Sequence, residues 1–523
     1  MSKFTTIKAQ QDLLAHIGRG IERETLRIDA RGEYALDSHP RALGSTLTHP
    51  HITTDYSEAL MELVTKPYHE VGALFKNLQY IHSFVLQNIG EQSLWMQSIP
   101  CELPPEEHIP IAWYGNSNDG MMKYVYRRGL AERYGKSMQC IAGIHYNFSL
   151  PEEIWQHLEP TIDDPKERQS VGYMSLIRNF KRKSWLLMYL FGASPIVNRS
   201  FVEGVEHGLD TFDRDSLYLP YATSLRMSDL GYTSEAQSNI RTCYNRVESY
   251  VSLIYNAVTR PWPAYVEIGT HRDGEWIQLN TSMLQIENEY YASIRPKRTA
   301  KLGERPNNAL INRGVQYIEV RCLDIDPFEP LGISPESAYF LDTFLLYCAS
   351  QNSPLFNDKD DCEETDKNFA NVVIEGRKPG LALKRLGQSI DLKVWGLEII
   401  ENLSPYAALL DEVHQTDAHS KSLATQKAKL EDVSLTPSAR YLKAVSDSGL
   451  SFNEFTKQNS FKHSEALRDL ELPSDIEAAF VAESERSLQA QLEREKSDTI
   501  SFEEYMRRFE NSLMEPEGEP EAL

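Results

Sequence analysis

The sequence predicts an α+β fold, on three observations. Thirteen residues from Met138 to Leu150 alternate apolar and polar, and Gln316 to Leu323 repeats the pattern; a period of two is that of a strand with one face packed. Residues 69 to 89 set Val71, Leu74, Phe75, Leu78, Ile81, Val85 and Ile89 at three- and four-residue spacing, the stripe of an amphipathic helix. Beyond about residue 385 strand signals fade and amphipathic helices run to residue 512. The expected layout is a sheet-bearing domain over 1–385, a helical region over 386–514 packed on it, and an acidic, Pro-containing tail over 515–523 without order.

The chain has 523 residues, 41% of them hydrophobic and 25% charged, the balance of a soluble globular protein. Its net charge of −22 argues against nucleic acid or an anionic membrane as the main partner. It leaves room for an anionic small substrate in a locally positive site. The six cysteines, at 101, 140, 243, 322, 348 and 362, form no CxxC motif, so reduced, mostly buried thiols in the cytoplasm are expected. No basic stretch followed by an apolar run opens the chain, so no signal peptide is expected, and the longest apolar run, Trp185 to Phe191, is far short of a membrane span.

In order, residues 7 to 18 suggest a short helix leading into a strand over Gly20 to Arg27. On that strand Glu22 and Glu24 share a face, about 7 Å apart. Two such carboxylates repel, and one stays protonated unless a cation is present; a solvated edge is the plain alternative. Asp29 to Glu33 reads as a turn with Gly32 at positive φ. Leu60, Glu62 and Val64 read as one face of a strand, with a helix as the competing assignment, and Glu62 is an isolated acid in an apolar run. A helix over 69–89 stops at Gly90. Residues 100 to 120, rich in Pro and Gly, form a long irregular connection, followed by helix from Tyr124 to Arg133. On the 138–150 strand Gln139, His145 and Asn147 fall on the polar face, suited to the floor of a site. Helix is expected over 168–192 and 241–258, a Tyr- and Ser-rich binding loop over 216–239, and extended segments over 276–291. Arg295, Lys297 and Arg298 put three cations within four residues, which suits a triphosphate or a solvated basic turn. Glu319 and Arg321 share a strand face, where they either pair with each other or hold a metal and a phosphate. Thr436 and Pro437 read as a helix start, and 475–510 as one or two long helices.

Glu22, Glu24, Asp55, Glu62, His145 and Glu319 are ligands for a hard cation such as Mg²⁺ or Mn²⁺. Arg226, Arg295, Lys297, Arg298 and Arg321 suit phosphate. Acids for metal together with cations for phosphate indicate nucleotide-dependent phosphoryl chemistry. Neither GxxxxGK[ST] nor a helix-opening GxGxxG is found.

Several stretches carry a family resemblance: Arg19–Arg27, Thr53–Tyr56, Gly143–Leu150 (GIHYNFSL), Ser224–Tyr232 (SLRMSDLGY), Ile294–Arg298, Tyr317–Arg321 and Glu375–Gly380 (EGRKPG). In this order they resemble the proteobacterial glutamate–cysteine ligases (γ-glutamylcysteine synthetases), from about residue 10 to 390 and more loosely beyond. The resemblance implies a glutamine-synthetase-like, curved, largely antiparallel sheet with flanking helices. It implies ATP-dependent ligation of L-glutamate to L-cysteine through a γ-glutamyl phosphate, the first step of glutathione biosynthesis, by a monomeric cytoplasmic enzyme using Mg²⁺ or Mn²⁺. Glu24, Asp55 and Glu62 would hold one metal, and Glu22, His145 and Glu319 another. Arg321 and Arg226 would be catalytic, Arg321 and Lys297 would bind ATP, and Tyr56, Tyr126, Arg127, Gln139, Asn147, Arg226, Tyr232 and Tyr291 would bind the amino acids. A related ligase with another amine acceptor and a non-catalytic nucleotide-binding protein are the alternatives.

Overall fold

The structure, a computed structural model, describes residues 2–231, 235–238, 240, 242, 244–301, 303–356 and 359–516. Seven strands form the main sheet: β1 Gly18–Ile28, β2 Ile52–Thr54, β3 Leu60–Val64, β4 Ser93–Leu94, β5 Ile144–Ser149, β6 Ile294–Lys297 and β7 Tyr317–Leu323. The order is β6-β7-β5-β1-β3-β2, with β4 paired to the far end of β1, and every pairing is antiparallel. Central β1 thus borders strands about 40 and 120 residues away and lies two strands from one about 300 residues away, so the sheet collects side chains scattered along the chain.

One face is core. Ile21 of β1, Ile144, Tyr146 and Phe148 of β5, and Ile318, Val320 and Cys322 of β7 are all buried in one apolar cluster. Helices Val71–Asn88 and Pro335–Ser350 contribute to the same cluster. Three arginines of β1, Arg19, Arg23 and Arg27, also point into this layer and are essentially fully buried. Arg19 donates to Asp342 of helix Pro335–Ser350 at 2.6 Å. Arg27 donates to Gln92 at 2.7 Å and to the Glu58 carbonyl at 2.9 Å. Among the described residues Arg23 has no carboxylate partner. It bonds His82 at 2.8 Å and the Pro330 carbonyl at 3.0 Å, and burial pushes its pKa down to about 9. The opposite face carries the acids described below.

Several elements differ from the sequence expectation. The strand expected over Met138–Leu150 is regular only over Ile144–Ser149; Ser137–Cys140 is a 3-10 turn. Here Gln139, Cys140, Ile141 and Ala142 are all buried, so the apolar alternation does not mark a strand with one packed face. Helix 7–18 divides into Lys3–Ala9 and a 3-10 segment Gln11–His16, and 168–192 into Pro165–Lys181 and Trp185–Phe191. The 276–291 stretch is mostly irregular, with the 3-10 turn Glu287–Glu289. Cys101, Cys140, Cys322 and Cys348 are free and buried, but Cys362 is disulfide-bonded; cysteine counts do not see pairing in space. The β1 strand, the β3 strand, the turn with Gly32 at φ 83° and the Thr436 cap at Pro437–Ser448 agree with expectation. No helix among the described residues is long and apolar enough to cross a membrane.

The C-terminal helices wrap the sheet domain. A hairpin, Ala382–Arg385 with Gln388–Asp391, precedes helices Leu392–His414 and Ala418–Glu431. Leu403 and Tyr441 join the same buried cluster as Ile21 and Phe344, so the core is continuous across residue 385. Helix Ser474–Ser497 then returns toward the open face of the sheet, and helix Phe502–Asn511 packs near helix Asn118–Tyr134.

Candidate active site

The open face is built by register. Glu22 lies opposite His145, and Glu24 opposite Glu62. Glu319 lies between Asn147 and Arg295. His145 Nδ1 is 3.2 Å from Glu22 and 3.8 Å from Glu319, and Nε2 is 3.5 Å from Glu24. Asn147 donates to the other Glu22 oxygen at 2.7 Å. Lys297 Nζ lies 3.5 Å and Arg321 3.2 Å from Glu319. One ligand atom from each of Glu22, His145 and Glu319 falls within 4.8 Å of the others.

Like charges opposed on adjacent strands destabilise each other, and the acids divide accordingly. Glu62 is held well above the usual carboxylate range, first by burial and then by Glu22, Asp55 and Glu24. Burial, with Asp55 adding to it, also raises Glu24 despite His145. Burial would raise Glu22 and Glu319 too. For Glu22 the hydrogen bond and charge of His145 together with Lys297 outweigh it, and for Glu319 Lys297, Arg321, His145 and Arg295 together do, so both are lowered. Glu319 Oε2 is buried with no hydrogen bond of good geometry. Converging carboxylates, two of them raised by burial and by their acidic neighbours, with an imidazole among them, fit a hard divalent cation with oxygen-rich coordination.

Two cavities meet on this acidic floor. The smaller, about 100 Å³, is lined by Glu24, Asp55, Tyr56, Tyr126, Arg127, Gln139, His145, Arg226, Tyr291 and Arg321, with Tyr134, Gln237, Glu289 and Arg295. The larger, about 530 Å³, is lined by Glu22, Glu62, Lys297 and Glu319, and shares Glu24, Asp55, His145 and Arg321 with the first. Arg226 is fixed at the back of the small cavity. Its Nε donates to Asp324 at 2.8 Å and one terminal nitrogen to the Leu323 carbonyl at 2.8 Å. Arg127 packs over the Tyr114 ring at 4.4 Å and donates to the Asp55 carbonyl.

A family model described as glutamate-cysteine ligase matches residues 3–372. The chain is 53% identical over 516 residues to a glutamate–cysteine ligase of Bordetella petrii, covering 98% of each. The chain belongs to the glutamate–cysteine ligase family. A second member, from Pseudomonas fluorescens, is 51% identical over 510 residues, 97% of this chain and 96% of its own. A solved glutamate–cysteine ligase from Francisella tularensis, in complex with AMP, superposes with a TM-score of 0.89 at 38% identity, over 95% of this chain and 98% of that one. The α+β architecture with a helical C-terminal region is thus that of the ligase family.

Of the residues expected in the ligase site, all five acids and His145 surround the shared floor or its walls, as do Arg321, Arg226, Tyr56, Tyr126, Arg127, Gln139 and Tyr291. Asn147 lies behind Glu22 as its donor, and the Tyr291 hydroxyl sits 3.0 Å from Met227 Sδ. Tyr232 lies outside the described residues. Arg295, expected to suit phosphate, lines both cavities and donates to the Asn288 and Tyr290 carbonyls. The sequence reading missed Asp324, which anchors Arg226, and the cations Lys123 and Arg494 on the large cavity. Asp324 follows Arg321 by three residues, just past the strand, where alternation no longer says where a side chain points.

Proposed function

We propose that this family member joins the γ-carboxylate of L-glutamate to the amine of L-cysteine at the expense of ATP. The observation that carries it is a cluster of five carboxylates and one imidazole on the floor of the large cavity, of which Glu24, Asp55 and His145 also line the small one, with Arg321 lining both. The γ-carboxylate oxygen bonds to the γ-phosphorus as the bond to ADP breaks. The cysteine amine then attacks the acyl carbon, and phosphate leaves as the amide forms and the nitrogen loses its proton. Both partners in the first step are anions, so charge neutralisation is the central requirement. Glu22, His145 and Glu319 would hold one Mg²⁺ or Mn²⁺, and Glu24, Asp55 and Glu62 a second. Such ions neutralise phosphate charge and polarise the γ-phosphoryl group.

The protein's own groups supply the rest. Arg321, between the cavities, would stabilise charge on the transferring phosphoryl group, and Lys297 would meet the phosphates beside Glu319. Tyr56, whose buried hydroxyl has no hydrogen-bond partner among the described residues, joins Tyr126, Arg127, Gln139, Arg226 and Tyr291 as the amino-acid pocket. Enclosure of the small cavity would shield the acyl phosphate from water. We place the reaction at the start of glutathione biosynthesis, in a monomeric cytoplasmic enzyme with a catalytic domain over 1–385.

The test is ADP release from purified protein with ATP, Mg²⁺ and L-glutamate, offered cysteine, glycine or ammonia. Cysteine is expected to support turnover at least about tenfold above the others, a preference of ~1.4 kcal/mol or more, with γ-glutamylcysteine identified by mass. Equal rates with ammonia or glycine would point to another acceptor. Near-normal turnover by Glu22→Gln at limiting Mg²⁺ would remove the metal assignment.

A further inference from the structure

Strand β7 does not run straight past the site. Val320 lies opposite Tyr146 and Leu323 opposite Ile144, so Arg321 and Cys322 together face the single His145 of β5. This is a β-bulge, an extra residue on β7 that bends the strand and re-aims its side chains. Strict alternation would put Leu323 on the open face with Glu319 and Arg321. Past the bulge, Leu323 instead joins Cys322 in the core cluster, and Arg321 is the last side chain that β7 sends to the site. Little else fixes its aim. Among the described residues its guanidinium makes an ion pair to Glu319 at 3.2 Å, and its Nε is buried without a hydrogen-bond partner. The direction of the guanidinium therefore follows the backbone of the bulge.

The bulge is held from behind. A bulge leaves ladder groups without strand partners, and buried carbonyls need donors. One terminal nitrogen of Arg226 donates to the Arg321 carbonyl at 3.2 Å and to the Leu323 carbonyl at 2.8 Å, the two carbonyls that flank Cys322. Its Nε donates to Asp324 at 2.8 Å. The Asp324 side chain is fully buried and lines neither cavity. It also accepts from the Ser224 hydroxyl at 3.0 Å, the Ser194 hydroxyl at 2.7 Å and the Ala193 amide at 2.8 Å. A buried carboxylate with donors from two other chain segments is fixed in place. It fixes Arg226 in turn, and Arg226 fixes the bulge. The next amide, of Ile325, donates to Ser98 at 2.8 Å, so the chain leaving the bulge is tied as well.

We propose that Asp324 is a positioning residue for phosphoryl transfer: acting through Arg226, it holds the β7 bulge in the shape that points Arg321 at the floor shared by the two cavities. This rests on Arg321 being the group that stabilises the transferring phosphoryl. Arg226 then has two duties. One edge of its guanidinium clamps the strand. Its other terminal nitrogen, lying against Gly143, is left for a substrate in the small cavity that Arg226 lines. Amino-acid binding and phosphoryl transfer are thus carried on one rigid piece. A misplacement of about 1 Å at the reacting atoms costs on the order of 100-fold in rate, so a residue that meets no substrate can set kcat.

The experiment is steady-state kinetics of Asp324→Asn, Arg321→Lys and the double variant on the full chain, with ATP, L-glutamate and cysteine varied in turn and urea midpoints recorded alongside. Asp324→Asn is expected to lower kcat about tenfold or more, while the KM for ATP stays within about twofold. In the Arg321→Lys background the same substitution is expected to change kcat by less than about twofold, because the aim of an absent guanidinium cannot be lost again. Arg226→Lys keeps a cation beside Asp324, but a single ammonium cannot span both carbonyls. It is expected to lower kcat as well as raise an amino-acid KM, and it reports on the bulge should Asp324→Asn not fold. Unchanged kcat in these variants, with only an amino-acid KM raised, would overturn the proposal and leave Arg226 a substrate ligand alone. So would kcat losses that multiply in the double variant. An undiminished kcat in Arg321→Lys would instead overturn the phosphoryl-transfer role of Arg321 itself.

Discussion

Glu62 shows how a single residue registers the need for a cation. It faces Glu24 across β1 and β3, has no hydrogen bond or ion pair among the described residues, and sits well above the usual carboxylate range. A carboxylate raised by folding takes up a proton more readily in the folded state than in the unfolded one. Its contribution to stability therefore falls as pH rises above the ordinary 4.5. Glu62→Gln is expected to stabilise the metal-free protein by about 1–2 kcal/mol in a denaturant melt. The gain should grow with pH, while the added stability from Mg²⁺ shrinks. A loss of metal-free stability would contradict the electrostatic account. Spacing in the sequence was enough to put Glu22 with Glu24, and Glu319 with Arg321, on common faces, because strand geometry is local. It was silent on Arg23, which lies between Glu22 and Glu24 yet is buried on the other face with no carboxylate partner among the described residues, because that needs knowledge of His82 and Pro330 across the core.

Among the elements, β5 is the most instructive. Its regular part carries His145 and Asn147 onto the open face and Ile144, Tyr146 and Phe148 into the core, as alternation predicts. Just ahead of it the chain leaves strand geometry at Gly143, whose amide donates to Glu24 at 2.7 Å. A Cβ there would sit 2.7 Å from an Arg226 terminal nitrogen, so only glycine lets the guanidinium lie against this backbone. Gly143→Ala is expected to push Arg226 out of place and raise the KM for an amino-acid substrate about tenfold, ~1.4 kcal/mol. The KM for ATP should barely move, since the large cavity does not include Arg226. Steady-state kinetics with each substrate varied in turn decide it, and unchanged amino-acid constants would count against the role of Arg226. Elements with a strict period were legible in advance. The irregular lining from 276 to 291 was not, since turns held by side-chain bonds such as Asn280 to the Gln285 carbonyl leave no periodic signal.

At the scale of the whole molecule, a buried polar chain ties the sheet to the C-terminal helices. Asp342 accepts from Arg19 at 2.6 Å and from the Tyr146 hydroxyl at 2.9 Å. His419, of helix Ala418–Glu431, lies 3.9 Å from Asp342 and bonds Asp411 at 3.0 Å. Burial alone would raise Asp342, but Arg19 and then His419 hold it low. Asp342→Asn leaves Arg19 charged and buried, and is expected to destabilise the protein by about 3 kcal/mol or more. The measurement is the urea midpoint at constant slope, and a change under about 1 kcal/mol would show the pair to be marginal. The sequence indicated that a helical region packs on the sheet domain. It gave no sign that this region returns to line the large cavity, because that contact joins residues nearly 400 positions apart, such as Arg494 and Asp119.

The three arginines of β1 acquire another meaning during synthesis. At a ribosomal rate of ~5–20 residues per second, β1 waits on the order of 15–60 s before β7 exists to complete the sheet. An unpaired strand edge in a nascent chain is an aggregation hazard, and charged residues along it are the usual protection. Between Gly18 and Ile28, β1 carries Arg19, Glu22, Arg23, Glu24 and Arg27. The same five charges that later divide between core and site keep the strand in solution until its partners are made.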